Sequence, residues 1–139
     1  MNKFPEQVIP PILLVMVFDL VFTILGQPKG YWGNYSLVNE GSPLGFSLLS
    51  RTPFLFIVFF VFYLVVVYFL LKKLPIIFSL PLAITLFIGH VWGSSTWLPI
   101  LYRNIGFETF AFYNWWLKIG YFIILAMITS FFILRVRKN

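Results

Sequence analysis

His90 is the only histidine in the chain, and it lies within Gly89-His90-Val91-Trp92-Gly93-Ser94-Ser95-Thr96-Trp97, inside an otherwise apolar stretch. A second apolar stretch carries Asp19, with Thr23 one helical turn later on the same face. A charged aspartate at the bilayer centre costs about 2.5–3.5 kcal/mol on insertion scales unless it is paired or wetted. Asp19 therefore marks either a functional site or a structural hydrogen bond to Thr23 or a neighbouring helix. On a helix, His90, Ser94 and Trp97 share one face. The imidazole either pairs with the Asp19 carboxylate or is satisfied by a serine hydroxyl. Gly89 and Gly93 form a Gly-x-x-x-Gly pair, which lets another helix press close.

These residues suggest proton, ion or small-ligand chemistry, with Asp19 as the ionisable centre and His90 as its partner. Thr23 and Ser94 would be orienting hydroxyls, and Glu40 a gate. Lys118 either snorkels to headgroups or acts as counter-ion to Asp19. Asp19, Glu40 and His90 have the donor types of a divalent-cation site, but their spacing matches no metal-binding motif. There is no His-Glu-x-x-His, phosphate loop or nucleophile elbow, and nothing specifies a cofactor. The absence of cysteine excludes disulfides, thiol catalysis and thiolate metal sites.

The elements that must position these groups follow from composition. The chain is 60% hydrophobic and only 10% charged, against near half and a quarter in a soluble domain. It is too short to bury all its apolar runs, so it reads as one all-α membrane domain spanning 1–139. Four transmembrane helices are expected, at about 8–26, 53–71, 75–98 and 113–134, packed as a four-helix bundle. Pro10 and Pro11 fall in the first turn of the first helix, where missing N–H groups cost little. That helix lacks a cleavage site and is read as retained rather than as a signal peptide. Pro81 is expected to kink the third helix, and Pro99 to end it.

The connection from Gln27 to Thr52 is long for a compact membrane protein, and such loops are usually functional or partly structured. Within it, Ser42 is expected to cap a short helix whose first residue is Pro43. A fold-back of this segment would bring Glu40 over the polar stretch. Lys72-Lys73-Leu74 reads as a tight hairpin.

Lys3, Lys72, Lys73, Arg135, Arg137 and Lys138 fall on one side of a four-span topology. Lys29, Arg51, Arg103 and Lys118 fall on the other, with Glu40 and Glu108. The first set is packed at helix ends, so that side is expected to be cytoplasmic, with both termini there. Asp19 precedes Gly26 by seven residues and His90 precedes Leu98 by eight. Both helices run outward, which puts the two groups at one depth, roughly 10–12 Å below the outer helix ends. Trp32, Trp92, Trp97, Trp115 and Trp116 gather toward that outer side as an interfacial belt. The net charge of +6 belongs to orientation and anionic lipid rather than to nucleic acid.

Asp19-x-x-x-Thr23, then Asn39-Glu40 and Pro43 before the next helix, resembles a pattern in small bacterial and archaeal membrane proteins of unknown function. Their pattern is Asp-x-x-x-Thr followed by an acidic-x-Asn-Pro segment; here the order is Asn-Glu-Gly-Ser-Pro. The resemblance covers the first half of the chain. It implies a prokaryotic cell membrane and supports a polar site without naming a reaction.

Three readings of function follow: an outer-half site that binds or relays a proton, ion or small polar group; an accessory subunit of a larger membrane complex; or a metal-assisted membrane hydrolase using Asp19, His90 and Glu40. The expected partners are lipid and either other membrane subunits or further copies of the chain.

Overall fold

The computed structural model of the chain describes residues 6–107 and 111–136; Lys3, Glu108, Arg137 and Lys138 fall outside them. Every regular element among the described residues is helical. The α-helices are α1 (Ile9–Leu25), α2 (Pro43–Leu49), α3 (Pro53–Lys73), α4 (Ile76–Asn104) and α5 (Ala111–Val136), with single 3-10 turns at Glu6–Val8, Lys29–Trp32 and Tyr35–Leu37. Three helical stretches, Pro53–Lys73, Ile76–Asn104 and Asn114–Phe132, are long and apolar enough to cross a membrane, and α1 is a shorter apolar helix of 17 residues. Large side chains such as Phe54, Phe62, Ile77, Phe78 and Met127 stand more than 60% exposed on these helices. A water-soluble fold does not tolerate apolar surface on that scale, whereas a lipid environment does.

The helix starts follow from the local sequence. Pro10 and Pro11 open α1. Ser42 caps α2 through its Oγ, which accepts from Gly45 N at 3.2 Å, and Pro43 is the first residue, as the sequence led us to expect. Thr52 does the same for α3, accepting from Phe54 N at 3.3 Å ahead of Pro53.

The third apolar run departs from expectation at its far end. Pro99 does not stop it; α4 continues to Asn104 and holds both Pro81 and Pro99 in its interior. A helix that left its ladder at Leu98 would strand carbonyls in apolar surroundings, and local adjustments tolerate proline there at lower cost. The true stop is Gly106, at φ +93°, a conformation that favours glycine. Phe107 N donates to Tyr102 O and Gly106 N to Arg103 O, both at 3.1 Å, which makes a Schellman cap.

α1 occupies the middle of the fold. It packs most extensively along α4 and also touches α3 and α5. α1 and α4 run parallel and in register: Asp19 meets His90, and seven residues on, Gly26 meets Trp97. The apolar core runs along α1: Ile9, Ile12 and Met16 belong to one cluster with Val67, Leu71 and Ala83 toward the α3–α4 hairpin end and with Tyr31, Leu49 and Phe56 toward the other. The hairpin end also carries an ion pair. At that end Lys72 Nζ lies 3.4 Å from Glu6 Oε1 and over the Tyr68 ring. Both partners are exposed, so this pair contributes little. The opposite end, where the 27–52 connection folds over the helices, is called the capped end below.

Candidate functional site

Asp19 and His90 touch. His90 Nδ1 lies 2.7 Å from Asp19 Oδ2, and the two side chains are only 16% and 18% exposed. Facing a carboxylate acceptor, Nδ1 carries the hydrogen and donates it. The ring is held against the edge of Phe60, at a centroid separation of 6.0 Å, and beside Tyr63 at 6.1 Å. Aromatic walls restrict rotation of the imidazole, and the carboxylate fixes which nitrogen is bound, so Nε2 is left for other chemistry.

Gly93 permits this approach. A Cβ there would lie 3.0 Å from Asp19 Oδ1 and 3.2 Å from Oδ2. Gly89, expected to share that role, faces open space, with nothing within 4 Å of a Cβ. No neighbouring group lies against Gly89, so of the Gly-x-x-x-Gly pair only Gly93 is a position of close approach.

The pair opens on a cavity of about 450 Å³ that Thr23, Glu40, Tyr63 and Trp97 also line. The 27–52 connection thus folds back, as expected, and brings Glu40 to the same cavity. Glu40 Oε1 accepts from Ser42 N at 2.8 Å. Its side chain crosses the first turn of α2 at Gly45, where a Cβ would sit 2.9 Å from Glu40 Cγ. Each carboxylate therefore lies over a glycine: Asp19 over Gly93, Glu40 over Gly45.

Gln27 holds this connection in place. Asn39 N donates to Gln27 Oε1 at 2.9 Å, and Gln27 Nε2 donates to Asn39 O at 3.1 Å and to Thr23 O at 2.9 Å. The buried amide thus pairs with the backbone of Asn39 as a neighbouring strand would, immediately before Glu40. Tyr31, fully buried, donates its hydroxyl to Leu49 O at 2.9 Å and ties the connection to the end of α2. Burial, and Tyr35 beside it, push the Tyr31 phenol above its usual value. Sequence reasoning assigned neither residue a role. The available signal was a glutamine four residues after Thr23, immediately beyond the helix-ending Gly26.

Other candidates fall differently. Ser94 does not reach the imidazole; its Oγ donates to the backbone carbonyl of His90 at 2.6 Å. That uses its single proton, so at the 2.8 Å contact with Tyr121 the phenol is the donor. Ser94 therefore links α5 to the turn that carries His90. Tyr121 was another residue the sequence reading passed over, although a tyrosine within an apolar helix calls for a partner. Thr23 lines the cavity and is buried, but it makes no hydrogen bond to Asp19. Lys118 is not brought to Asp19: its Nζ lies 6.0 Å from the Trp115 ring centroid, and the only side chain in ion-pair contact with Asp19 among the described residues is His90. Trp97 is not part of an exposed belt but is buried against Gly26, unlike Trp32, Trp92, Trp115 and Trp116. Asp19, Glu40 and His90 share a cavity, yet no three His, Asp or Glu side chains among the described residues converge to hold a metal ion.

The fold and site together define an all-helical protein, with helices able to cross a membrane, built around a partly buried carboxylate–imidazole pair. Comparison with protein-family models, curated proteins and solved structures gives no match to the chain. Its functional reading therefore rests on the chemistry of the site.

Proposed function

We propose that the chain is a four-helix transmembrane protein, with both termini cytoplasmic, that binds and relays a proton or a small polar ligand in its outer half. The observation that carries this reading is the 2.7 Å Asp19–His90 contact at the wall of a cavity that Glu40 also lines. At 1.5 Å per residue the 17-residue α1 is about 26 Å long, near the ~30 Å of a hydrocarbon core. The preceding 3-10 turn adds to that length, so α1 serves as the fourth span. Lys72 and Lys73 at the hairpin mark the cytoplasmic side, and the capped end faces outward.

The chemistry follows from the hydrogen bond. The Asp19 carboxylate keeps the Nδ1 hydrogen in place and leaves the Nε2 lone pair as the acceptor. A proton arriving at Nε2 gives an imidazolium that the carboxylate stabilises at short range, and the same nitrogen returns the proton to a ligand or to water. Asp19 acts by position and charge, His90 by proton exchange.

Because His90 is the only histidine, its two ring nitrogens give an unambiguous ¹⁵N spectrum in lipid nanodiscs. Nδ1 is expected to carry the hydrogen and Nε2 to be the bare acceptor. Asp19→Ala should release the tautomer preference. A ring that carries its hydrogen on Nε2 instead, or one indifferent to Asp19→Ala, would refute the reading.

A further inference from the structure

We infer that the ligand of this cavity is a cationic amphiphile of the outer leaflet, a long-chain amine or ammonium compound whose head enters from the side. This deepens the reading of the Asp19–His90 site and rests on it. Three observations lead here.

The first is charge. Asp19 and Glu40 both line the cavity, and among the described residues no lysine or arginine lines it. The cavity is net negative whether the His90 ring is neutral or charged, since two carboxylates face at most one imidazolium. Among the described residues Glu40 is bonded only to the Ser42 backbone N–H, within its own turn. A partly enclosed space with two carboxylates in its wall favours a cation over an anion.

The second is the character of the walls. Phe56, Phe59, Phe60 and Tyr63 form the α3 side. Aromatic faces attract ammonium groups and tolerate alkyl chains, so one wall serves both parts of an amphiphile. The volume of about 450 Å³ falls in the range of small-molecule sites.

The third is access. Phe59 and Leu44 line the cavity and are both exposed, on helices that flank its side. α3 and α4 join in a tight hairpin and have few close backbone contacts with one another, while Phe60 and Tyr63 of α3 reach across to the His90 ring of α4. A second, smaller pocket shares Gly41, Thr96 and Trp97 with the cavity and continues to Asn39 and Ile100. The site thus has a lipid side and a polar side, the two surroundings an amphiphile needs.

The test uses the full chain in phosphatidylcholine nanodiscs with radiolabelled dodecyltrimethylammonium as the probe. One saturable site per chain is expected, with dodecylamine competing and dodecanoate and dodecanol not. Glu40→Gln keeps the Oε1 acceptor for Ser42 N and removes the charge; it should weaken binding at least tenfold, as should Asp19→Asn. Glu6→Gln, which removes an acidic charge at the hairpin end, should change nothing. Binding unchanged in both cavity variants, or equal competition by dodecanoate, would overturn the proposal. Tetramethylammonium binding as tightly as the dodecyl probe would overturn the lipid-side source, since the tail would then contribute nothing. If the probe fails to bind while His90 keeps its hydrogen on Nδ1 and still responds to Asp19→Ala, the ligand class is wrong and the proton site stands; loss of both removes the underlying reading.

Discussion

Gly93→Ala tests the site without touching either member of the pair. The new methyl would lie 3.0 Å from Asp19 Oδ1, 3.2 Å from Oδ2 and 3.3 Å from Cγ, where ordinary contact begins at 3.4 Å. The carboxyl must therefore withdraw by about 0.4 Å, the difference between 3.4 and 3.0 Å. Drawn out by that amount, the 2.7 Å bond to His90 becomes about 3.1 Å, beyond the ~2.7–2.9 Å of a charge-assisted N–H···O bond. Such bonds contribute roughly 1.5–3 kcal/mol, whereas glycine to alanine within a helix gains about 1 kcal/mol in backbone propensity. Gly89→Ala supplies the control: it lies in the same helix, one turn earlier, with open space around its Cβ. Gly89→Ala should be neutral or stabilising by up to about 1 kcal/mol, and Gly93→Ala should fall below it by about 1–2 kcal/mol. Reversible unfolding in mixed micelles reads this difference, and the His90 Nδ1 proton resonance reads the bond directly. If the two variants are equally stable and the Nδ1 proton does not move, the close approach of Gly93 to Asp19 has no energetic content and the argument for a tightly held pair fails.

Two further predictions concern the cap. Gln27→Leu keeps the bulk but strands Asn39 N and the carbonyls of Thr23 and Asn39, at a cost of about 1–3 kcal/mol; backbone amides of residues 39–42 should exchange faster, and a variant with wild-type protection there would show that Gln27 is dispensable. Tyr31 is raised above its ordinary pKa of 10.0, so the fold favours the neutral phenol. The stability this contributes is complete below that value and is lost as pH rises through the raised one. The 295 nm difference titration between wild type and Tyr31→Phe should show one tyrosine ionising late, together with greater protease sensitivity of residues 28–50; ionisation at the ordinary value would sink this account.

Much of the fold was legible because apolar runs of bilayer length have few alternatives to helix. The capping residues Ser42 and Pro43 were legible because their chemistry is local. The Asp19–His90 contact was anticipated by depth counting, and it succeeded for a particular reason. The count took Gly26 and Leu98 as matching ends; the structure pairs Gly26 with Trp97, one residue away. The supposed stop at Pro99 was wrong, but it stood at nearly the correct level of α4. What the sequence concealed was rotation about helix axes. Depth says nothing of whether Trp97 points inward or whether Lys118 turns toward Asp19. Gln27 was concealed for another cause: a polar residue at a helix end reads as solvated surface, and only the returning segment at Asn39 shows that it is buried. The equivalent signal for the true end of α4, Gly106, lay beyond a proline that looked sufficient.

The 71 residues that separate Asp19 from His90 also set a schedule. At ~5–20 residues per second of synthesis, His90 leaves the ribosome roughly 4–14 s after Asp19. Over that interval α1 is made and α3 follows, while the acid has no imidazole to meet. Synthesis of the first helix and closure of the site are therefore separate events in the life of each new chain. A nascent chain that ends before α4 holds the carboxylate without its base, and the arrival of α4 beside α1 is the step at which a set of separate helices becomes a finished site.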